Sequence, residues 1–234
     1  MTLPFGSSDT CGVCGAVSEQ TGVLSTNEFG APDLDGRPPE MRRSTINWWV
    51  HRCPGCGYCA SSIDEAPAGA GDVVRSAAYR QQLDDFLTPE LARMFLCSSM
   101  IVEVSGGPAA PGLVAPLICA AWACDDAGDV DAAVRCRLRA ASAIDALRSA
   151  GGSYMDDDPG GDDLTLADLY RRSERFEEAG AAAQAGLQRA ADPFLRQLLE
   201  LQLSLAGARD AGRHTCDEVA GGGGEDGEDG EVWL

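Results

Sequence analysis

From residue 76 onward, apolar and small residues recur every three or four positions, the spacing of helices that bury one face. Thr88-Pro89-Glu90 offers an N-cap, a proline at the first helical position and an acid in the first turn, which predicts a helix to Val104 ending before Gly106-Gly107-Pro108. A second helix is expected over Gly112–Ala127; Leu113, Leu117, Ile118, Ala121 and Trp122 make it apolar nearly all round, and so central. Gly128 ends it, and a third spans Val130–Ala150, stopping at Gly151-Gly152. The acids from Asp156 to Asp163 read as a solvated loop with a helix cap: they lack the alternating spacing of a calcium loop, and Pro159 interrupts them. Next, Leu166, Ala167, Tyr170, Ala179, Ala183, Gly186 and Leu187 follow the small/large spacing of a tetratricopeptide helix hairpin. Asp192-Pro193 opens a further helix carrying Phe194, Leu198, Leu201 and Leu205, and Gly221–Glu231, alternating glycine with acids, is expected to be disordered.

The first sixty residues lack this period. Ala16–Thr26 and Ser44–Arg52 read as strands, the second carrying Thr45, Ile46, Trp48, Trp49 and Val50. Between them Gly30, Pro32, Asp33, Gly36, Pro38 and Pro39 are turn chemistry. The division expected is residues 1–62, a helical domain over 76–216, and an acidic tail over 217–234.

Composition narrows the classes of function. The net charge is −19, and the chain has no lysine, so arginine supplies every full positive side-chain charge. Nearly all of the excess lies beyond residue 60, and such a body repels nucleic-acid phosphates and anionic lipid surfaces. Met1–Thr10 has no signal-peptide pattern, and the apolar stretch Leu113–Cys124 is too short to cross a bilayer. A reduced, cytoplasmic setting fits the ten cysteines, as metal ligands or small buried residues rather than disulfides.

Four of those cysteines carry the candidate chemistry. Cys11-Gly-Val-Cys14-Gly and Cys53-Pro-Gly-Cys56-Gly are two tight knuckles 38 residues apart. Each presents two thiolates, and four sulfurs close a tetrahedron around one structural zinc ion. The glycine after each second cysteine suits a left-handed turn that aims amides at sulfur. Knuckle, strand, loop, strand, knuckle is the layout of a small β zinc ribbon. Cys59 extends the second knuckle toward an iron–sulfur run, but the fourth ligand of that spacing is missing, so a buried neighbouring thiol is the preferred reading. His51 precedes the knuckle on a strand and reads as an exposed or hydrogen-bonded histidine rather than a ligand. Cys97, Cys119, Cys124, Cys136 and Cys216 stand mainly in apolar helical contexts and read as packing.

Arg37, Arg42, Arg43 and Arg52 bracket Trp48 and Trp49, a basic and aromatic stretch in an acidic chain. It forms either an interaction surface or, in the preferred reading, tryptophans packed inward with arginines paired to acids. Arg171, Arg172 and Arg175 raise the same question of a peptide groove on the helical body.

The run from Leu34 to Thr45, followed by Trp49-Val50-x2-Cys53-Pro54-x-Cys56-Gly57-Tyr58 and preceded by Cys11-x2-Cys14-Gly15, resembles an uncharacterised bacterial family. Its members join an N-terminal CPxCG zinc ribbon to tetratricopeptide-like helices. The resemblance implies Cys11, Cys14, Cys53 and Cys56 as zinc ligands and a loop shaped by Asp35, Arg37 and Pro38. It implies no activity. The fold expected is mainly α: a small zinc ribbon, an irregular helical-repeat body and an acidic tail. The function expected is a zinc-binding adaptor or scaffold whose helical body binds another protein. A nucleic-acid accessory factor using the Arg/Trp face is the alternative, and a thiol- or metal-dependent enzyme a third.

Overall fold

The computed structural model describes residues 1–155 and 159–220. The expected disordered stretch Gly221–Glu231 and the acids Asp156, Asp157 and Asp158 lie outside the described residues.

The N-terminal part is a set of two-stranded antiparallel ribbons. β1 (Leu3–Thr10) pairs with β2 (Val17–Ser25), β3 (Glu28–Phe29) with β4 (Glu40–Met41), and β5 (His51–Arg52) with β6 (Cys59–Ala60). The body is helical: α1 (Ala70–Arg75), α2 (Ala77–Leu83), α3 (Glu90–Gly106), α4 (Val114–Asp126), α5 (Val130–Ser149), α6 (Gly161–Arg171), α7 (Phe176–Arg189), α8 (Pro193–Gly207) and α9 (Asp217–Ala220). None of the described helices is long and apolar enough to cross a membrane.

Local signals place most of these ends. Asp129 caps α5 by accepting from Ala132 N–H at 3.0 Å, and Asp192 caps α8 by accepting from Leu195 N–H at 2.7 Å. α4 is central as its composition requires, with Leu117, Ile118, Ala120, Ala121 and Cys124 buried. α6, α7 and α8 close on small residues: a Cβ at Gly186 would lie 2.7 Å from Leu199 Cδ2 and 2.9 Å from Asp163 Cβ.

Three expectations are corrected. Ser44–Arg52 is not one strand; Arg43–Trp48 is a 3-10 turn and only His51–Arg52 is extended. The side chains of this segment reward the turn: Thr45 Oγ1 donates to Arg42 O at 2.7 Å, Trp49 Nε1 donates to Thr45 Oγ1 at 2.8 Å, and Ile46 and Val50 are buried. Tertiary packing here overrides the β preference of Thr, Ile, Trp and Val. Thr88 does not cap α3; its hydroxyl donates to Asp85 Oδ2 at 2.6 Å, and the helix starts at Glu90. Asp162 and Asp163 are not a solvated loop but the buried first turn of α6. Asp162 accepts from Tyr154 and Met155 N–H at 3.0 and 2.8 Å, while Arg148 and Arg189 hold Asp163 at 3.1 and 2.6 Å.

The ribbon and the helices share one core. Cys11, Ile46, Val50, Tyr58, Cys59 and Ile63 belong to the same buried cluster as the inner faces of α1–α5 and Leu166 and Leu169 of α6. A smaller cluster of Ala167, Ala183, Ala190, Leu195 and Leu199 lies under α6–α8.

A buried polar network crosses the same boundary. Asp35, in the loop between β3 and β4, accepts from Trp122 Nε1 at 2.7 Å and from Arg172 Nη1 at 2.9 Å. Arg172 also donates to Asp125 at 2.8 Å, and Asp125 pairs in turn with Arg137. Arg37 pairs with Asp126 at 2.5 Å and lies over the Trp122 ring, 5.8 Å from its centre. The loop's outer side is held by Arg43, 2.6 Å from Asp33, and by the C-terminal segment: Leu34 N–H donates to His214 O at 3.0 Å and Cys216 N–H to Pro32 O at 2.9 Å. That segment is fixed by Arg171, fully buried, which donates to Gln202, to the carbonyls of Asp210 and Gly212, and to Asp168 at 2.6–2.8 Å.

Removing one partner of a buried ion pair strands the other, at about 3–5 kcal/mol, whereas an exposed pair is worth about 0–1 kcal/mol. Asp35→Ala should therefore lower the free energy of unfolding by about 3–5 kcal/mol. Arg42→Ala, which breaks a half-exposed pair with Glu28, should cost less than about 1 kcal/mol. Urea unfolding followed by tryptophan fluorescence checks both; equal effects would mean that Asp35 is not the anchor.

Candidate metal centre

The two knuckles are built alike. In the first, Cys11 N–H donates to Ala16 O at 2.9 Å and Gly15 N–H to Cys11 O at 2.8 Å; in the second, Cys53 N–H donates to Tyr58 O and Gly57 N–H to Cys53 O, both at 2.8 Å. Each closing glycine is left-handed, with φ of +73° at Gly15 and +78° at Gly57. The chain thus makes the same turn twice, and each turn aims a pair of sulfurs into the space between them.

The four sulfurs converge. Cys11 and Cys56 Sγ are 3.7 Å apart, Cys14 and Cys53 Sγ are 3.5 Å apart, and all four lie within 4.8 Å of one another. A tetrahedron with metal–sulfur bonds of about 2.3 Å has sulfur–sulfur edges of about 3.8 Å, so the set has the size of a four-thiolate metal site. Cys11 and Cys53 are buried, Cys56 half-buried and Cys14 exposed, which leaves the centre near the surface.

Electrostatics favour a cation there. The Cys53 thiol is held down to about 7: burial pushes it up, but N–H groups of Cys56 and Gly55 and the sulfurs of Cys11 and Cys14 outweigh that. Cys11 and Cys56 are pushed up, chiefly by burial. Four crowded sulfurs cannot all ionise against one another, and a dication at their centre removes that conflict. With all four positions taken by sulfur, the ion would serve structure rather than activate water.

Each knuckle is seated on the rest of the chain. Gly12 N–H donates to Ile63 O at 2.8 Å, and a Cβ there would lie 2.8 Å from Asp64 O. On the other side, Tyr79 of α2 donates its hydroxyl to Gly57 O and accepts from Cys59 N–H, both at 3.0 Å. Tyr79 carried no signal in the sequence, because its role depends on a helix that packs on the knuckle from twenty residues away.

Neither Cys59 nor His51 joins the four-sulfur cluster. Cys59 is wholly buried, and its Sγ donates to Gly57 O at 3.4 Å. His51 sits on β5 with its pKa lowered, by burial first, against the opposing charge of Asp9.

The basic and aromatic stretch divides. Arg37 is 4% exposed and Arg43 is also turned inward, onto Asp33. Trp49 packs edge-on against Trp122, with centroids 6.4 Å apart. Trp48 is half-buried, and Arg42 lies over Trp49 and pairs with Glu28. Trp48, Arg42 and Arg52, the last exposed and 4.0 Å from Glu90, are therefore what remains of this stretch at the surface. The groove suggested by Arg171, Arg172 and Arg175 is likewise not formed: the first two are internal ties, and Arg175 pairs with Glu178 on its own helix.

The purified chain is expected to retain one divalent ion by elemental analysis. Cys53→Ser should weaken it by more than about 100-fold, beyond the 10–100-fold of a lost outer partner, while Cys119→Ser leaves it unchanged. Gly15→Ala meets open space and should cost only the left-handed strain of about 1–2 kcal/mol. Gly57→Ala should cost more, since its Cβ would lie 2.6 Å from Leu83 Cδ2; chelator competition and thermal melts separate the two variants.

Comparison with protein-family models, with curated proteins and with solved structures finds no match.

Proposed function

We propose that the chain is a protein-interaction module, an adaptor or scaffold, in which a structural zinc ion in the four-cysteine site holds a ribbon against a helical-repeat body that binds another protein. The observation that carries the proposal is a coordinatively closed site set beside uncovered apolar surface. β1 and β2 form a hairpin on which Leu3, Phe5, Val17 and Leu24 are exposed, and Phe29 of β3 is exposed near its open end. Phe5 lies across Gly22, whose missing side chain makes room for the ring. Phe5 and Leu24 share one face near the open end, whereas Val17 lies on the other face at the turn end. A two-stranded hairpin is marginal alone, and exposed apolar residues grouped on one face mark contact surfaces.

The helical body supplies a second candidate face. An open trough of about 630 Å³, lined by Gln81, Gln82, Asp84, Asp85 and Met100, shares Glu103 and Arg139 with a more apolar one of about 360 Å³ lined by Leu113, Leu117 and Leu138. Acids at one end and aliphatic side chains at the other suit a peptide with a cation and apolar anchors. The nucleic-acid alternative loses its footing, because Arg37 and Arg43 are engaged internally.

Affinity capture from the native host with the zinc-loaded chain should recover a stoichiometric protein partner. Leu138→Arg, in the trough, should reduce recovery at least about tenfold, as loss of an interface anchor does, while thermal stability stays within a few degrees. Recovery of no specific partner, or of nucleic acid alone, would refute the reading.

A further inference from the structure

The C-terminal segment on the outer side of the Asp35 loop carries a titratable cluster of its own. Asp210, His214 and Glu218 follow one another at intervals of four residues, and both ring nitrogens of His214 meet a carboxylate: Nδ1 lies 2.8 Å from Glu218 Oε2, and Nε2 lies 3.2 Å from Asp210 Oδ2. The carboxylates are themselves held in place. Gly212 N–H donates to the other oxygen of Asp210 at 2.7 Å, and Thr215 N–H to the other oxygen of Glu218 at 2.9 Å. Both acids stay ionised at neutral pH: Gly212 N–H, above all, keeps Asp210 low, and Thr215 N–H and His214 keep Glu218 low against burial. An ionised carboxylate only accepts hydrogen bonds, and a neutral imidazole has a single N–H. A neutral ring in this position would turn one lone pair toward a carboxylate, which repels it. Two such contacts at once require hydrogen on both nitrogens, that is, an imidazolium.

The ring sits where its charge acts on the fold. His214 O accepts from Leu34 N–H at 3.0 Å, Thr215 bridges to Asp33, and Cys216 N–H donates to Pro32 O at 2.9 Å. The other end of the segment is fixed separately, by Arg171 on the carbonyls of Asp210 and Gly212 at 2.8 and 2.7 Å. We propose that His214 is a proton-dependent latch. Protonated, it ties Asp210 to Glu218 and holds residues 213–218 on Pro32–Leu34; deprotonated, it frees that end while Arg171 keeps the other in place. The remaining charged groups around the segment are already committed. From the loop come Asp33, paired with Arg43, and Asp35, paired with Arg172. From α6 come Asp168 and Arg171, paired with each other, and α8 adds the neutral Gln202. Within the segment, Arg213 acts on Asp33, Asp217 accepts from Thr215, and burial pushes the Cys216 thiol up to about 12, so it stays neutral. Burial also pushes the Asp33 carboxyl up, but its protonation cuts the tie to Arg43 on the acid side, the opposite sense to His214. The two carboxylates favour the charged ring, so the latch is complete below the ordinary histidine value of about 6.5 and is lost as pH rises beyond it.

The consequence is that a proton tightens the outer wall of the loop that joins ribbon to body. The test uses the zinc-loaded full chain. Nitrogen NMR of the His214 ring at about pH 7, where an ordinary histidine is mostly neutral, should show hydrogen on both Nδ1 and Nε2. A ring with one hydrogen there would overturn the latch in the wild-type chain itself. Amide exchange, corrected for its intrinsic pH dependence, should show protection at Leu34 and Cys216 falling about threefold from roughly pH 6 to 9, the size that half-exposed carboxylates allow. The Ala133 amide in α5, bonded to Asp129 O, serves as the constant reference. His214→Gln, neutral at every pH, should hold the two amides at a constant, reduced protection. Wild-type protection that is flat or rises with pH, or a fall that persists in His214→Gln, would also overturn the proposal; because the ring is read in the wild-type chain, poor folding of the variant does not rescue it.

Discussion

The Asp35 carboxylate holds this structure in one piece. It leaves the ribbon on a short turn-rich loop and ends among helices, where an indole N–H from α4 and a guanidinium just past the C-terminal end of α6 meet it. A carboxylate so buried is tolerable only when its charge is answered and its lone pairs are occupied. Around it, the described residues supply five acids, Asp33, Asp35, Asp125, Asp126 and Asp168, and five arginines, Arg37, Arg43, Arg137, Arg171 and Arg172. The network is electroneutral although the chain is strongly acidic. That balance explains why arginine, with its planar fork of donors, is used throughout: Arg171 reaches four acceptors and Arg172 joins two aspartates from different elements.

The four-cysteine cluster holds the two ends of the same segment whose middle this network holds. The 38 residues between the knuckles would be a long, entropically costly closure if they were free. They are not free. Their middle is fixed by Asp33, Asp35 and Arg37, and their end by Ile46, Trp49 and Val50 in the shared core. The ends of the loop therefore reach the four-sulfur site already close to their bound positions, and less of the binding energy of an ion goes to ordering the chain.

The four-cysteine cluster was the most legible feature, because a pair of cysteines separated by two residues, with a following glycine, describes its own turn. The long helices α3, α4, α5 and α8 were legible for a similar reason: caps, breakers and periodicity are local. What could not be read is what depends on distant partners. Ser44–Arg52 has the composition of a strand, and only the buried seats of Ile46 and Val50 and the hydroxyl of Thr45 make a 3-10 turn the better solution. Asp162 and Asp163 look like solvent-facing acids until Arg148, Arg189 and the Tyr154 and Met155 amides are placed around them. Arg37 and Arg43 are equally ambiguous in sequence, since a basic residue near tryptophan reads the same whether it faces outward or inward.

The inward turn of these arginines also decides what the exterior is like. The arginines of the Asp35 network are matched one for one by its own acids, most of them buried and only Asp126 half-exposed, so they offset none of the remaining acids of the chain. Onto that acidic exterior the ribbon hairpin projects Leu3, Phe5, Val17 and Leu24. Long-range repulsion would keep polyanions and second copies of so acidic a chain away, while the apolar hairpin rewards close contact once it is made. On the proposed adaptor reading, a neutral or basic protein surface with an apolar patch would satisfy both conditions.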